Sequence, residues 1–236
     1  NLAQSLRGRG HDISFFCYAR GDLLAEPLRA AGIPIDTHLK RSRFSLDPIL
    51  ALREKIRASK PDVVVSFLTT PNFYAIAATR LLPTAKPLGA SRPLLVTSER
   101  FYDPPEGVGW RQELKRQFYR LADCLTVNSH HQRINFCEKY PCLRDCTYTI
   151  YNGYDLAAFH PPEAEPCNDP LKLLSVASVS PYKNGLCLVR TLSILSTDYG
   201  LRPHVSWVGE RVMSSDRLQY LRRMQQEIAE RDLTSQ

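Results

Sequence analysis

The residue of this sequence best placed to do chemistry is a lysine that follows a short apolar run. Leu173–Val179 carries no charge and ends at Ser180 and Pro181. Such a run is typical of a buried parallel strand that stops at a turn. Lys183 would then lie at the carboxyl end of that strand, where open α/β sheets bind ligands, with Asn184 entering a helix. A cation beside the N–H groups of a helix N-terminus can bind a phosphate; a solvated surface lysine is the alternative.

A turn dipeptide follows another predicted strand. Asn152 and Gly153 come directly after the strand predicted at 147–151. Glycine can adopt a positive φ, so the turn could direct the backbone toward a ligand, and an ordinary tight turn explains the same residues equally well.

Several other kinds of site are excluded by spacing. Gly107 and Gly109 lack the later glycine of a dinucleotide fingerprint and do not join a strand to a helix. The sequence has no nucleophile elbow and no recognisable nucleic-acid module. Cys137, Cys142 and Cys146 lie close together, but their spacing is not that of a zinc site, so we interpret them as structural. We therefore expect no metal and no cofactor.

The composition is that of ordinary globular material. The sequence is 43% hydrophobic and 23% charged, and its 236 residues are enough for one large or two modest domains. No apolar run approaches the ~20 residues that a membrane span requires. The seven cysteines are scattered, which favours reduced thiols and a cytoplasmic location. The net charge of +7 is compatible with acidic ligands, anionic lipid or nucleic acid, and it does not distinguish between these partners.

Basic residues recur at helical spacing in one stretch. Arg111, Lys115, Arg116 and Arg120 would form a stripe on a helix. We interpret it as a solvated helix face, with contact to an anionic membrane as the functional alternative.

The elements that must position these residues alternate along the chain. Strands separated by helices imply a parallel sheet covered on both faces, which is a doubly wound domain. Asp47 and Ser129 are predicted to cap two of the helices. The strands of the first domain are predicted at 13–17, 63–67, 94–97, 125–127 and 147–151.

A proline-rich stretch marks the domain boundary. Residues 160–170 read HPPEAEPCNDP, with four prolines and no hydrophobic period. We predict a first domain at 1–159, a linker at 160–170 and a second domain at 171–236. The sequence begins inside a predicted helix and ends soon after another, so we expect a fragment that lacks the extreme N-terminus and half of the second domain.

Four ordered blocks of residues resemble the family 4 glycosyltransferases. The most specific block is N-G-x-D-x-x-x-F-x-P, which runs from Asn152 to Pro161. The resemblance implies the GT-B fold, in which two Rossmann-like domains face a cleft. The other blocks are Ala122-Asp123, Thr126 to Ser129, and Ser175 to Asn184.

The resemblance also implies a donor site in the second domain. A basic pair after its first strand binds the diphosphate of the sugar donor, and Lys183 with Asn184 matches the lysine end of that pair. The arginine expected five residues earlier is Ser178 here, which removes one cation. Gly209 and Glu210 match the next loop, near the nucleotide end of the donor.

On the acceptor side the resemblance points to the end of the fourth strand. The family often places a His-Asp type pair there, and this chain has Glu99 and Arg100, with Asp103 beyond. The pair could orient an acceptor hydroxyl, or it could be a structural ion pair that seals the loop.

The expected function is transfer of a sugar from a nucleoside diphosphate sugar to a hydroxyl of a glycan or lipid-linked acceptor. Retention of configuration and independence of metal are part of this expectation, with the fragment alone inactive. A catalytically inactive binding or scaffold subunit fits Ser178, and a basic nucleic-acid protein fits the charge alone. The donor base, the sugar and the linkage are not determined by the sequence.

Overall fold

The computed structural model describes residues 2–19, 25–42, 45–82, 92–101, 108–154, 156, 159, 171–209 and 215–233. The chain divides into two compact units, Asn1–Tyr154 and Asp155–Gln236. The predicted boundary at residue 159 stays a prediction, because residues 160–170 lie outside the described part of the chain.

The first unit contains two parallel sheets. Strands β1 (Phe15–Cys17) and β2 (Ile35–Thr37) form the smaller sheet. The larger sheet has the order β3-β4-β5-β6, and every neighbouring pair is parallel. The predicted α/β class with parallel sheets is therefore confirmed, although the sequence analysis missed β2. The larger sheet comprises β3 (Val63–Phe67), β4 (Leu94–Glu99), β5 (Cys124–Val127) and β6 (Thr147–Thr149).

Helices pack against this larger sheet and exclude water from its apolar side chains. Leu95 and Leu125 have 0% exposure and contact Ile76, Tyr119 and Phe136 from three different helical segments. The helices of the first unit are α1 (Leu2–Gly8), α2 (Ala25–Ala30), α3 (Asp47–Ser59), α4 (Thr69–Ile76), α5 (Trp110–Arg116) and α6 (His130–Lys139). A π-helical turn (Ala77–Leu81) follows α4, and 3₁₀ turns occupy Gln117–Leu121 and Pro141–Cys146.

The second unit is a two-stranded parallel sheet with helices. Strand β7 (Lys172–Val176) pairs in register with β8 (His204–Val208). Leu173 and Val205 pack against the buried side chains of α7 (Gly185–Tyr199). Helix α8 (Ser215–Glu230) carries Met224, which is buried.

The prediction that β7 is buried was wrong in one respect. Leu174 is 68% exposed and Val176 is 73% exposed. Side chains alternate between the two faces of a strand, and among the described residues the helices cover only the face that carries Leu173. A charge-free run therefore predicted the strand but not its exposure.

One of the two predicted helix caps is confirmed. The hydroxyl of Ser129 accepts the N–H of Gln132 over 3.1 Å at the start of α6. Asp47 was predicted to cap α3, which was wrong because Asp47 is already its first residue and its carboxylate pairs with Arg41 over 3.5 Å. None of the helices in the described ranges is both long and apolar enough to span a membrane.

Candidate functional site

The strands of the larger sheet bring four chain segments to one edge. Parallel register places Phe67 beside Ser98, and Glu99 beside Val127. The segments that leave β3, β4, β5 and β6 therefore begin at a common carboxyl edge, which is where open α/β sheets bind ligands. The predicted residues Glu99, Arg100, Asn152 and Gly153 all lie on these segments.

Glu99 is fully enclosed by donors. Its Oε2 accepts the hydroxyls of Thr69 over 3.0 Å and of Tyr119 over 2.9 Å, and it lies 3.4 Å from Nε of Arg116. Its Oε1 accepts the backbone N–H of Arg100 over 3.2 Å. The side chain of Glu99 has 0% exposure. Glu99 therefore forms a structural ion pair with Arg116 and not with Arg100, the partner that the sequence analysis considered. A direct role of Glu99 toward an acceptor stays a prediction.

A second group of buried polar residues supports this carboxylate. Nδ2 of Asn72 donates to the carbonyl of Ser98 over 3.0 Å and to the hydroxyl of Tyr119 over 3.1 Å. The hydroxyl of Ser66 donates to Oδ1 of Asn72 over 2.7 Å. Burial and then the charge of Glu99 raise the pKa of Tyr119, so its hydroxyl stays a neutral donor. Sequence reasoning missed Asn72 and Tyr119, because nothing in their spacing links them to β4.

The predicted basic stripe does not form a single solvated face. Arg116 is 1% exposed and lies over the ring of Phe136, with 5.5 Å from Cζ to the ring centroid. Nζ of Lys115 donates to the hydroxyl of Thr70 over 2.9 Å. The stripe was wrong because the helix changes to a tighter 3₁₀ turn after Arg116, and because the buried Glu99 supplies that arginine with a counter-ion.

Arg100 joins two of the predicted site segments. Its Nη1 donates to Oδ1 of Asn152 over 2.6 Å, and its Nε donates to Oγ of Ser98 over 2.9 Å. Its Cζ lies 5.4 Å from the ring centroid of Phe67, and the side chain is half-buried. The structure therefore brings Arg100 and Asn152 together at the edge of the sheet.

Gly153 does not use the conformational freedom of glycine. Its φ is not positive, and a Cβ built on it would meet no atom within 4 Å. The turn after β6 is therefore open to other residue types at this position, and the role of Gly153 toward a ligand stays a prediction.

In the second unit, Lys183 and Asn184 lie immediately before α7. Residues Pro181–Lys183 form a 3₁₀ turn, and Asn184 adopts a left-handed φ of 50° at the helix N-terminus. Lys183 forms no ion pair with any residue of the described chain. Lys183 and Asn184 line a cavity of about 350 Å³ whose other lining residues are Leu173, Leu174, Ser175, Leu188, Val205 and Trp207.

The loops that follow β7 and β8 contact each other closely. The carbonyl of Ala177 accepts the indole N–H of Trp207 over 2.7 Å, and a Cβ on Gly209 would lie 2.0 Å from that carbonyl oxygen. Ser178, the next residue, is thus held beside Gly209, although neither lines the cavity at Lys183. Glu210 lies outside the described residues. The role of Trp207 was missed, because an indole in a strand has no motif of its own.

Metal ions are held in proteins by groups of acidic, histidine and cysteine side chains. None of the described residues forms a group of three or more that could hold a metal ion. The cysteines in the described ranges, which leave out Cys167, are free thiols.

The family model for Glycosyltransferase Family 4 matches residues 1–158. No curated protein matches the chain. The solved structures similar to the chain include HepE from Anabaena in complex with UDP and glucose, with a TM-score of 0.71 and 16% identity. They also include a glycosyltransferase from Rickettsia africae, with a TM-score of 0.72 and 19% identity.

These likenesses concern the fold. They cover 99% and 98% of this chain but only 61% and 60% of the two solved proteins, so the chain spans about three fifths of their length. The predicted GT-B type of α/β fold is confirmed.

Proposed function

The chain belongs to glycosyltransferase family 4, and we propose that the protein transfers a sugar from a nucleoside diphosphate sugar to an acceptor hydroxyl. The observation that carries this proposal is Lys183, a cation without an ion-pair partner in the described chain at the N-terminus of the 15-residue helix α7. The complex of HepE with UDP and glucose, a protein of similar fold, supports a nucleotide sugar as the donor class.

The proposed donor site uses charge to stabilise the leaving group. The ammonium of Lys183 and the positive end of the α7 dipole both favour an anion at this position. As the bond between the sugar and the diphosphate breaks, negative charge grows on the phosphate oxygen, and fixed cations lower the energy of that state. The acceptor oxygen forms the new bond to the sugar, and its proton passes to the departing phosphate. Retention of configuration and independence of metal rest on the family resemblance.

The test compares two lysines of the same unit. We expect UDP to bind the protein and Lys183→Ala to weaken that binding about tenfold or more, because a hydrogen bond to a charged group is worth about 1.5–3 kcal/mol. Lys172→Ala is the matched control, since Lys172 lies on β7 and is exposed. Calorimetric titration measures both constants. Equal UDP affinity of the two variants would assign Lys183 to the surface. Failure of the full-length protein to release a nucleoside diphosphate from any sugar nucleotide would refute the transfer activity.

A binding or scaffold subunit is the second candidate. The observation that favours it is Ser178, which stands where the family resemblance implies a second cation. This candidate predicts that the protein binds UDP without releasing it from sugar nucleotides, and detectable turnover would exclude it.

We further propose a peripheral contact with an anionic membrane through α5. Trp110 is 71% exposed and Leu114, one turn later, is 54% exposed. Burial, followed by the positive charges of Lys40 and Arg111, lowers the pKa of Lys115 nearby. Exposed apolar side chains beside like cations match the boundary of an anionic bilayer, where tryptophan is enriched.

A further inference from the structure

Arg100 is a cation whose position is fixed, but no carboxylate in the described part of the chain neutralises its charge. Its Nε and Nη1 donate to neutral oxygens, the hydroxyl of Ser98 and the side-chain carbonyl of Asn152. Its neighbour Glu99 is directed into the interior, where it pairs with Arg116.

Two enclosed arginines of the same unit are paired with a carboxylate, whereas buried Arg53 has no such partner among the described residues and donates to the carbonyl of Ala78 over 2.7 Å. Arg80, whose side chain is 4% exposed, pairs with Asp123 over 2.6 Å, and Arg116 pairs with Glu99. A charge that is partly removed from water is costly unless it is paired. Arg100, unlike Arg53, lies at the carboxyl edge of the sheet, and among the described residues it has no carboxylate partner, so an external anion could pair with it there.

The remaining donors of Arg100 suit such an anion. A guanidinium has five N–H donors in a planar fork, and the two contacts above leave both donors of Nη2 and one of Nη1. Parallel donors of this kind bind a phosphate or a carboxylate in a bidentate manner. Stacking on Phe67 and the bond to Asn152 hold the fork in place before any ligand arrives, which reduces the entropy lost on binding.

Helix α6 adds positive potential at the same edge. Nε2 of Gln132, in its first turn, donates to the carbonyl of Phe101 over 2.7 Å, which ties the helix N-terminus to the residue after Arg100. The positive end of the dipole of this 10-residue helix therefore adjoins the Arg100 segment.

We propose that the acceptor carries an anionic group, a phosphate or a carboxylate, and that Arg100 binds it. The proposal rests on the proposed transfer of a sugar and names the acceptor class of that reaction. Arg100 is thereby the residue that recognises the acceptor, and Glu99 is a positioning residue that holds the backbone N–H of Arg100.

The experiment uses three probes with one carbon skeleton: glycerol 3-phosphate, glycerate and neutral glycerol. Each is titrated into the whole chain, and binding is followed through the side-chain Nε–Hε resonance of Arg100 in a nitrogen-15 spectrum. We expect an anionic probe to shift that resonance and to bind about tenfold or more tightly than glycerol. A stronger response to glycerol 3-phosphate would identify the anion as a phosphate, and a stronger response to glycerate as a carboxylate.

Two variants separate this site from general charge effects. Arg100→Gln should weaken binding of the anionic probe about tenfold. Arg120→Gln removes the same charge from an exposed position of the same unit and should leave the affinity for the probe unchanged. Circular dichroism checks that each variant is folded.

The outcomes distinguish this proposal from the proposed function. Equal affinity of the wild type and Arg100→Gln, or an equal loss in Arg120→Gln, would overturn the anion site while UDP binding and turnover stand. If Arg100 binds the probes but no sugar nucleotide is turned over, the transfer activity fails and the acceptor assignment fails with it.

Discussion

Oε2 of Glu99 and Nε of Arg116 lie 3.4 Å apart, and both side chains have 0% exposure. One residue ends β4 and the other ends α5, so a buried charge pair joins the sheet to the helix that covers it. Because the carboxylate also accepts the backbone N–H of Arg100, the pair fixes the segment on which the proposed acceptor site is built.

Removing one partner of this pair should be strongly destabilising. Arg116→Met leaves the carboxylate of Glu99 buried without its cation, and we expect the free energy of unfolding to fall by about 3–5 kcal/mol. The control is Arg120→Met, an exposed position at which the change should stay within about 0.5 kcal/mol. Chemical denaturation measures both. Equal losses would mean that the pair does not hold β4 to α5.

Gly209 should not tolerate a side chain. A Cβ there would lie 2.0 Å from the carbonyl oxygen of Ala177, so the backbone must shift. We expect Gly209→Ala to cost about 1–3 kcal/mol of stability and to weaken UDP binding, because it separates the loops after β7 and β8. Gly8→Ala is the control, since its Cβ would meet nothing within 4 Å. If Gly209→Ala were as stable as Gly8→Ala and bound UDP as tightly, the close approach of Gly209 to the carbonyl of Ala177 would be contradicted.

Restoring the missing cation should strengthen donor binding. Ser178→Arg places a second positive charge beside Gly209, and we expect UDP affinity to rise about two- to fivefold, the size of an exposed charge pair. Thr191→Arg adds the same charge to an exposed position on α7 and serves as the control. Calorimetric titration compares the variants. If Thr191→Arg improves UDP binding as much, net charge rather than position is responsible.

Asp123 should make stability depend on pH. Burial alone would raise the pKa of Asp123, but the N–H of Leu95 at 2.7 Å and the guanidinium of Arg80 lower it below its ordinary value of 3.8. A carboxylate whose folded pKa is depressed stabilises the fold above its unfolded pKa, and this contribution disappears as pH falls through the folded pKa.

The measurement is denaturation of Asp123→Asn at neutral and at acidic pH. We expect the variant to lose about 1–3 kcal/mol at pH 7 and the difference from wild type to shrink below about pH 3.8. Asp145→Asn, at an exposed position, should show neither effect. If the stability difference between wild type and Asp123→Asn were independent of pH, the ionised carboxylate of Asp123 would not be its cause.

Exposed Leu114 should matter for membrane binding. Leu114→Ser should reduce co-sedimentation with phosphatidylglycerol vesicles, because it removes apolar surface beside Trp110. Leu50→Ser is a close control, since Leu50 on α3 has the same 54% exposure. Equal binding of both variants, or equal binding to neutral phosphatidylcholine vesicles, would refute the proposed contact.

The parts of the fold with a periodic signal could be predicted from the sequence. The strands predicted at 63–67 and 94–97 are confirmed, because their β-branched and apolar runs are continuous, and β4 extends two residues further to Glu99. Strand β2 was missed because three residues carry too little pattern. The prediction of a solvated basic face through Arg116 was wrong for a different reason. Helical spacing shows which residues share a face, but it does not show whether a buried carboxylate, here that of Glu99, packs against that face.

The sequence by itself determined the alternation of strands and helices, the family and the place of Lys183 after a strand. These depend on neighbours in the chain, through hydrophobic period, turn residues and ordered motifs. Only the tertiary structure decided that Glu99 turns inward to Arg116 while Arg100 turns to Asn152, 52 residues later in the chain. Which of two adjacent charged residues is buried depends on the partners that parallel strands bring to the same edge, and those partners are distant in sequence.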